Sequence, residues 1–356
     1  MDKILPAEML EAARLTKAGR LSEATTVLQG LLHRQAPSGE ADHAPGLLSR
    51  VGHWLKRHAE PEPSVPPPDR EAPAGGRFLS KVFSNQAGSR PYKLYVPGGY
   101  RGQKVPLIVM LHGCTQSPDD FAAGTRMNAA AAAQGCLVAY PGQTREANMQ
   151  KCWNWFSTAD QRRDAGEPSL IAGITREIMR DYAVDPRRVY VAGLSAGGAA
   201  AAVMGDAYPD LYAAIGVHSG IPCGAARDMK TAFLAMKRGG HAAPRPGSAR
   251  PVPMIIFHGD HDSTVHPRNG EAMAEQAAHG LALTTQTRDG KVPGGHGYSR
   301  SIQTDAAGRS LIEQWTVHGA GHAWSGGSPA GSFTDPKGPD ATAEMLRFFM
   351  EHPRQA

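Results

Sequence analysis

Beyond residue 76 the apolar residues of this chain gather into short blocks, and several of the stretches between them repeat apolar positions at helical spacing. Residues 77–84 and 91–96 read as two antiparallel strands. Residues 107–111, 137–140, 189–192, 213–217 and 254–257 are near-continuous apolar runs, the pattern of strands buried on both faces. Helical spacing covers 119–134, 169–182, 196–208 and 270–278, so strands and helices alternate. That alternation predicts an α/β fold with a doubly wound, mainly parallel sheet. A strand over 311–317 and a helix over 341–351 complete it. Residues 224–251 are rich in Ala, Arg, Gly and Pro with little periodicity, and are expected to form an insertion or cap loop outside the sheet.

The first sixty residues have another texture. Met9, Leu10 and Ala13, then Ala24, Val27, Leu28, Leu31 and Leu32, fall at helical spacing, interrupted at Gly19 and restarted after Ser22, a good N-cap. They predict a helix-turn-helix-like pair, a small N-terminal helical appendage over 1–60. Six prolines among residues 61–75 disfavour helix and central strand. Residues 61–76 are therefore expected to be an extended linker, and 77–356 the main domain.

Composition narrows the classes. With 356 residues, 41% of them hydrophobic, the chain can bury a sizeable core. Its longest apolar runs, such as 106–111, fall far short of the roughly 20 residues of a membrane helix, so no membrane partner is expected. The net charge of +5 divides into −1 over residues 1–75 and +6 over the rest, without a basic run, which argues against a nucleic-acid partner. The amino terminus carries early acidic residues and lacks the apolar stretch of a secretory signal, which gives a cytoplasmic expectation. Cys114, Cys136, Cys152 and Cys223 form no C-x-x-C pair, and no G-x-G-x-x-G follows a first strand. Neither a metal nor an organic cofactor is expected.

The sharpest chemical signal is Gly193-Leu194-Ser195-Ala196-Gly197, placed between an apolar strand and a strong helix former. This is the strand–turn–helix setting of a nucleophile elbow, in which small neighbours let one serine hydroxyl project alone. A serine needs a histidine to take its proton and a carboxylate to hold that histidine. In α/β-hydrolases the chain order is serine, acid, histidine. The strand ending at Gly259 enters a loop offering Asp260 and Asp262, and the loop after the last strand offers His318 and His322. The residues favour Asp262 and His322 and leave Asp260 and His318 open. Acyl transfer also needs oxyanion donors. The Ala196 amide at the helix start is one candidate, and the Cys114 amide in the loop after 107–111 is the other. His112 precedes the serine and is expected to pin that loop rather than act as base.

Seven segments together resemble one family: LHGCTQ (111–116), CWNWF (152–156), GEPSLIAGI (166–174), VDPRRVYVAGLSAGG (184–198), FHGDHDSTVHPRNG (257–270), GHAWSGG (321–327) and SFTDPKGPDATAEMLRFF (332–349). They are similar to the polyhydroxybutyrate depolymerase family of serine esterases, related to feruloyl and acetylxylan esterases, over roughly residues 78–352. The resemblance implies an α/β-hydrolase fold and carboxylic ester hydrolysis through an acyl-enzyme. It places H-G-x-x-D-x-x-V on His258, Gly259, Asp262 and Val265, and so the triad on Ser195, Asp262 and His322. It supports Cys114 as an oxyanion donor. It further implies an apolar crevice, with Trp153, Trp155 and Trp324 as aromatic contacts and Gln116 and Asn154 as polar ones. Cys114 and Cys152 lie in two motifs that both approach the site, so the resemblance makes them a candidate disulfide, with two buried thiols as the alternative. The expected substrate is a hydroxyalkanoate oligomer or polymer, or a short-chain ester. A feruloyl- or acetylxylan-type esterase and a non-catalytic granule- or partner-binding protein are the alternatives. Family members that attack polymer outside the cell carry export signals and often a separate binding domain. With neither read here, the expectation moves toward soluble esters or an intracellular polymer.

Overall fold

The computed structural model describes residues 70–72, 75–240 and 252–355. The appendage expected over 1–60, most of the linker over 61–76 and the second part of 224–251 lie outside the described residues. Eleven strands form one sheet. They are β1 (Arg70–Ala72), β2 (Gly76–Asn85), β3 (Gly88–Val96), β4 (Val105–Leu111), β5 (Leu137–Pro141), β6 (Val184–Leu194), β7 (Ala214–His218), β8 (Met254–Gly259), β9 (Thr284–Lys291), β10 (Gly297–Thr304) and β11 (Ser310–Val317). The spatial order is β1-β2-β3-β5-β4-β6-β7-β8-β11-β10-β9. From β5 to β11 the neighbours are parallel, and antiparallel strands extend both edges. A separate parallel pair joins β12 (Trp324–Ser325) to β13 (Thr334–Asp335).

Helices cover both faces, which is why the central strands read as unbroken apolar runs. They are α1 (Pro118–Thr125), α2 (Met127–Gln134), α3 (Gly166–Asp181), α4 (Ala196–Ala207), α5 (Met229–Arg238), α6 (Arg268–Ala278) and α7 (Ala341–Glu351). Every residue of β4, β5, β7 and β8 is buried. Alternation divides β4 between the faces. Leu107, Val109 and Leu111 join a core with α3, α4 and α6, whereas Ile108 and Met110 join a second core with α1, α2 and α7. Among the described residues no helix is long and apolar enough to cross a membrane.

The structure departs from the sequence expectations at four places. Residues 70–72, expected to be linker, form β1 and pair with β2. The helix expected over 119–134 is two helices, because Arg126 adopts a left-handed φ of 56° and its N–H caps α1 on the Ala122 carbonyl. The Arg126 guanidinium also donates to the Gly326 carbonyl at 2.7 Å, so a tertiary contact holds the break. The segment expected to be loop at 224–251 contains α5, started by a capping box between Asp228 and Thr231. The β9–β10 hairpin was not expected at all. Its sequence is polar on both faces and its residues are exposed or half-exposed, so it carries no burial alternation.

The register aligns the strand ends that matter for chemistry. Leu111 pairs with Gly193, Leu194 with His218, His218 with Phe257, and Gly259 with Val317. The loops after β4, β6, β7, β8 and β11 therefore leave the same edge of the sheet, where open α/β sheets place their ligands.

Candidate active site

At the end of β6, Ser195 takes a φ of 58° and a ψ of −119°, a conformation that a non-glycine residue holds only under constraint. Its N–H donates to the His218 carbonyl at 2.9 Å, and α4 starts at the next residue. The flanking glycines are required by backbone contact. A Cβ on Gly197 would collide with the carbonyls of Leu111 and His112, and one on Gly193 with the Gly197 carbonyl. The amides at the start of α4, Ala196 first among them, have no acceptors within the helix.

Asp262 and His322 meet. Asp262 Oδ2 lies 2.7 Å from His322 Nδ1, and Asp262 Oδ1 accepts the amides of Thr264 at 2.9 Å and Val265 at 2.8 Å. His258 Nε2 approaches the same Oδ2 at 3.4 Å while bonding the Val265 carbonyl. Burial works to raise the Asp262 carboxyl, but the bonds from His258, His322 and the Val265 amide outweigh it and hold the group well below the usual carboxylate range. The acid is thus an anion, and its bond to Nδ1 turns the other ring nitrogen of His322 toward service as a base.

The rival residues form a pair of their own. His318 Nδ1 lies 2.9 Å from Asp260 Oδ2, the Gly319 amide donates to Asp260 Oδ1, and His318 Nε2 lies 3.0 Å from Ser299 Oγ. Both His318 nitrogens are engaged, and its side chain is 48% exposed. The Asp260 and His318 alternatives therefore belong to a surface cluster, which also ties the acid loop to the base loop.

The loop after β4 has its amides allotted. Gly113 N–H donates to Gln116 Oε1, Thr115 N–H to the Gln150 carbonyl, and Gln116 N–H to the Gly113 carbonyl. Cys114 is the amide of this loop left for an outside acceptor. His112 pins the loop as expected. Its Nε2 accepts from Gln143 N–H at 3.0 Å, so Nδ1 carries the proton and donates to the Gly113 carbonyl at 2.7 Å. Cys114 and Cys152 form a disulfide. Cys136 and Cys223 are buried thiols, and burial pushes the Cys136 thiol up to about 12.

The five expected substrate contacts lie around the frame of the site. Trp153 is fully buried and donates Nε1–H to the His112 carbonyl at 3.1 Å. Trp155 is buried against Phe156, and Trp324 is buried with Nε1–H on Thr342 Oγ1. Gln116 is buried between the Gly113 amide, Asp120 and Ser332. Asn154 gives its backbone and side-chain N–H groups to the buried Glu167, whose carboxyl is raised by that burial. Trp153, Trp324 and Gln116 have their side-chain polar atoms satisfied inside the protein and form part of the frame of the site. The nearness of a tryptophan to a motif is equally the mark of a residue that supports it.

The residue that sequence reasoning missed is His218. Its carbonyl holds Ser195, and its Nε2 accepts the Ser325 N–H at 2.9 Å, three residues beyond His322. Its ring is stacked between Phe257 and Trp324, with centroids 5.8 and 5.2 Å away. Burial pushes its pKa down to about 3, so the ring stays neutral and Nε2 remains an acceptor. The available signal was a histidine closing a buried strand, two residues before Gly220. Among the described residues no group of three His, Cys, Asp or Glu side chains converges to hold a metal ion.

A family model described as esterase PHB depolymerase matches residues 90–290. The poly(3-hydroxyalkanoate) depolymerase C of Paucimonas lemoignei is 33% identical over 253 residues, 67% of this chain and 60% of that protein. This chain therefore spans less than two thirds of that depolymerase. An acetylxylan esterase of Coprinopsis cinerea is 28% identical over 277 residues, 72% of this chain and 71% of that protein. Among solved structures, the acetyl xylan esterase from Aspergillus awamori superposes with a TM-score of 0.60 at 20% identity, covering 74% of this chain and 94% of that one. That likeness shows the α/β-hydrolase fold.

Two predictions test the frame. His218→Phe keeps the stacked ring and removes the acceptor for Ser325. It should lower kcat roughly 10- to 100-fold, the cost of about 1–3 kcal/mol for one orphaned buried amide, with KM little changed. Because the folded His218 pKa lies below its ordinary value, the unfolded chain takes up that proton first as the pH falls. The stability this contributes is full above pH ~6.5 and is lost toward about 3, so urea titrations should show a shallower acid decline in His218→Phe. The disulfide closes a sequence separation of 38 residues. Cys114→Ser/Cys152→Ser should cost about 3–4 kcal/mol of unfolding free energy by the chain-entropy estimate, read by denaturant titration.

Proposed function

This chain belongs to the esterase family of the polyhydroxybutyrate depolymerases, and we propose that it hydrolyses esters of 3-hydroxyalkanoate oligomers and polymers through an acyl-serine intermediate. The observation that carries the reading is the Asp262–His322 pair at 2.7 Å, on the sheet edge where the Ser195 elbow also ends. Ser195 Oγ attacks the ester carbonyl, and His322 Nε2 takes its proton. Asp262 holds the ring and stabilises the imidazolium. The amides of Ala196 and Cys114 bind the oxyanion, helped by the positive end of α4. His322 returns the proton to the leaving alcohol, and the same groups then activate water to release the acyl group as a carboxylic acid.

Hydroxyalkanoate esters are placed first because the family model and the 33% identical depolymerase agree. An acetylxylan-type specificity is the second reading, favoured by the relative that this chain covers over 71% of its length. The Cys114–Cys152 disulfide supports an oxidising working place, against the cytoplasmic expectation.

Ser195→Ala should lower ester turnover by at least roughly 10³-fold with the protein still folded. Undiminished hydrolysis would remove Ser195 from the mechanism. On the unmodified protein, 3-hydroxybutyrate oligomers should be cleaved with higher kcat/KM than acetylated xylan or methyl ferulate, measured by released acid. A reversed order would make the second reading the correct one.

A further inference from the structure

The outward half of α5 is apolar and basic together. At 3.6 residues per turn, Met229, Phe233, Lys237, Lys230, Leu234 and Arg238 succeed one another around the side that faces solvent, while Ala232 and Ala235 point inward. Met229, Phe233 and Leu234 are 53%, 58% and 46% exposed, and supply three of the five large hydrophobic side chains exposed among the described residues. Arg227, just before the helix, is exposed as well. The acid in this stretch, Asp228, is occupied in capping the helix on Thr231. The helix is anchored beside the acid loop. His266 N–H donates to the Met236 carbonyl at 2.8 Å, Asn269 Nδ2 to the Ala235 carbonyl at 2.9 Å, and Lys237 Nζ to the Ser263 carbonyl at 3.2 Å.

Three large apolar side chains held in water on one rigid helix, with cations among them, are the composition of a surface-binding helix. The reaction proposed above supplies a matching surface, and the inference rests on that reading. When water adds across an acyl–oxygen bond of a solid polyester, one fragment keeps a hydroxyl and the other a carboxylic acid, which releases its proton to water. A surface that begins neutral and apolar thus becomes anionic where it is cut. We propose that α5 is the face by which this enzyme rests on solid hydroxyalkanoate polyester. Met229, Phe233 and Leu234 pack on the apolar chains, and Arg227, Lys230 and Arg238 pair with the carboxylates that hydrolysis leaves behind. Adsorption is then apolar and salt-insensitive on fresh polymer, and gains a salt-sensitive part on eroded polymer.

The test uses the full chain carrying Ser195→Ala, so that the surface does not change during measurement, with polyhydroxybutyrate particles either fresh or eroded by alkali. Met229→Ser/Phe233→Ser/Leu234→Ser should weaken adsorption roughly 10-fold or more on both. Lys230→Gln/Arg238→Gln should weaken it on eroded particles only, and reduce its salt dependence there. In the Ser195 background both sets should leave turnover of p-nitrophenyl butyrate unchanged, which separates lost docking from lost folding. Adsorption of the apolar variant equal to the parent's would overturn the proposal. So would a parent that binds phosphatidylglycerol vesicles but not the polyester, or a parent dimer that the apolar variant converts to monomer. An active parent that adsorbs yet leaves the polyester uncleaved refutes the substrate reading instead, and the adsorption results still decide the docking face.

Discussion

Ser195 is held in an unfavourable backbone conformation by a neighbour that also holds the loop of His322, and the rest of the site depends on that shared hold. The His218 carbonyl fixes the serine amide and the His218 ring fixes the Ser325 amide, so one buried residue sets the spacing between nucleophile and base loop. The parallel register makes this possible, since Leu194 and His218 are paired across adjacent strands. Stacking on Phe257 and Trp324 leaves the ring little freedom to rotate.

Charge is distributed to suit this arrangement. The site contains one stabilised anion, Asp262, met by two histidines and two amides, and one buried histidine kept neutral. Neutrality matters because an imidazolium at His218 would have a proton on Nε2 and could no longer accept from Ser325. The loop of Cys114 is braced through the disulfide, the Gln116 side chain and the His112 ring. A buried acidic residue, Glu167, is set back from it and accepts both the amide and the side chain of Asn154.

Much of this was legible in the sequence, and for physical reasons. Unbroken apolar runs announce buried parallel strands, and the glycines around Ser195 are where two backbones touch, so pattern and structure share one cause. The candidate acid and base were legible as two pairs of options, and geometry sorts them into two pairs, because Asp260 takes His318 while Asp262 takes His322. The break at Arg126 was hidden because apolar spacing continues through it and the cause is a contact 200 residues away in sequence. The hairpin β9–β10 was hidden because a strand exposed on both faces has no pattern to show. The burial of Trp153 and Trp324 was hidden because sequence gives the neighbourhood of a side chain, not the direction in which it points.

The cluster of Asp260, His318 and Ser299 repeats the hydrogen-bond order of a catalytic triad: carboxylate to Nδ1, and Nε2 to a serine hydroxyl. Its main-chain setting is different. Ser299 lies within strand β10, with no turn to project it and no helix start beside it, and its hydroxyl donates to Asp289 at 2.6 Å. What sets the Ser195 site apart is the main chain, in the strained φ of the serine and the unspent amides around it.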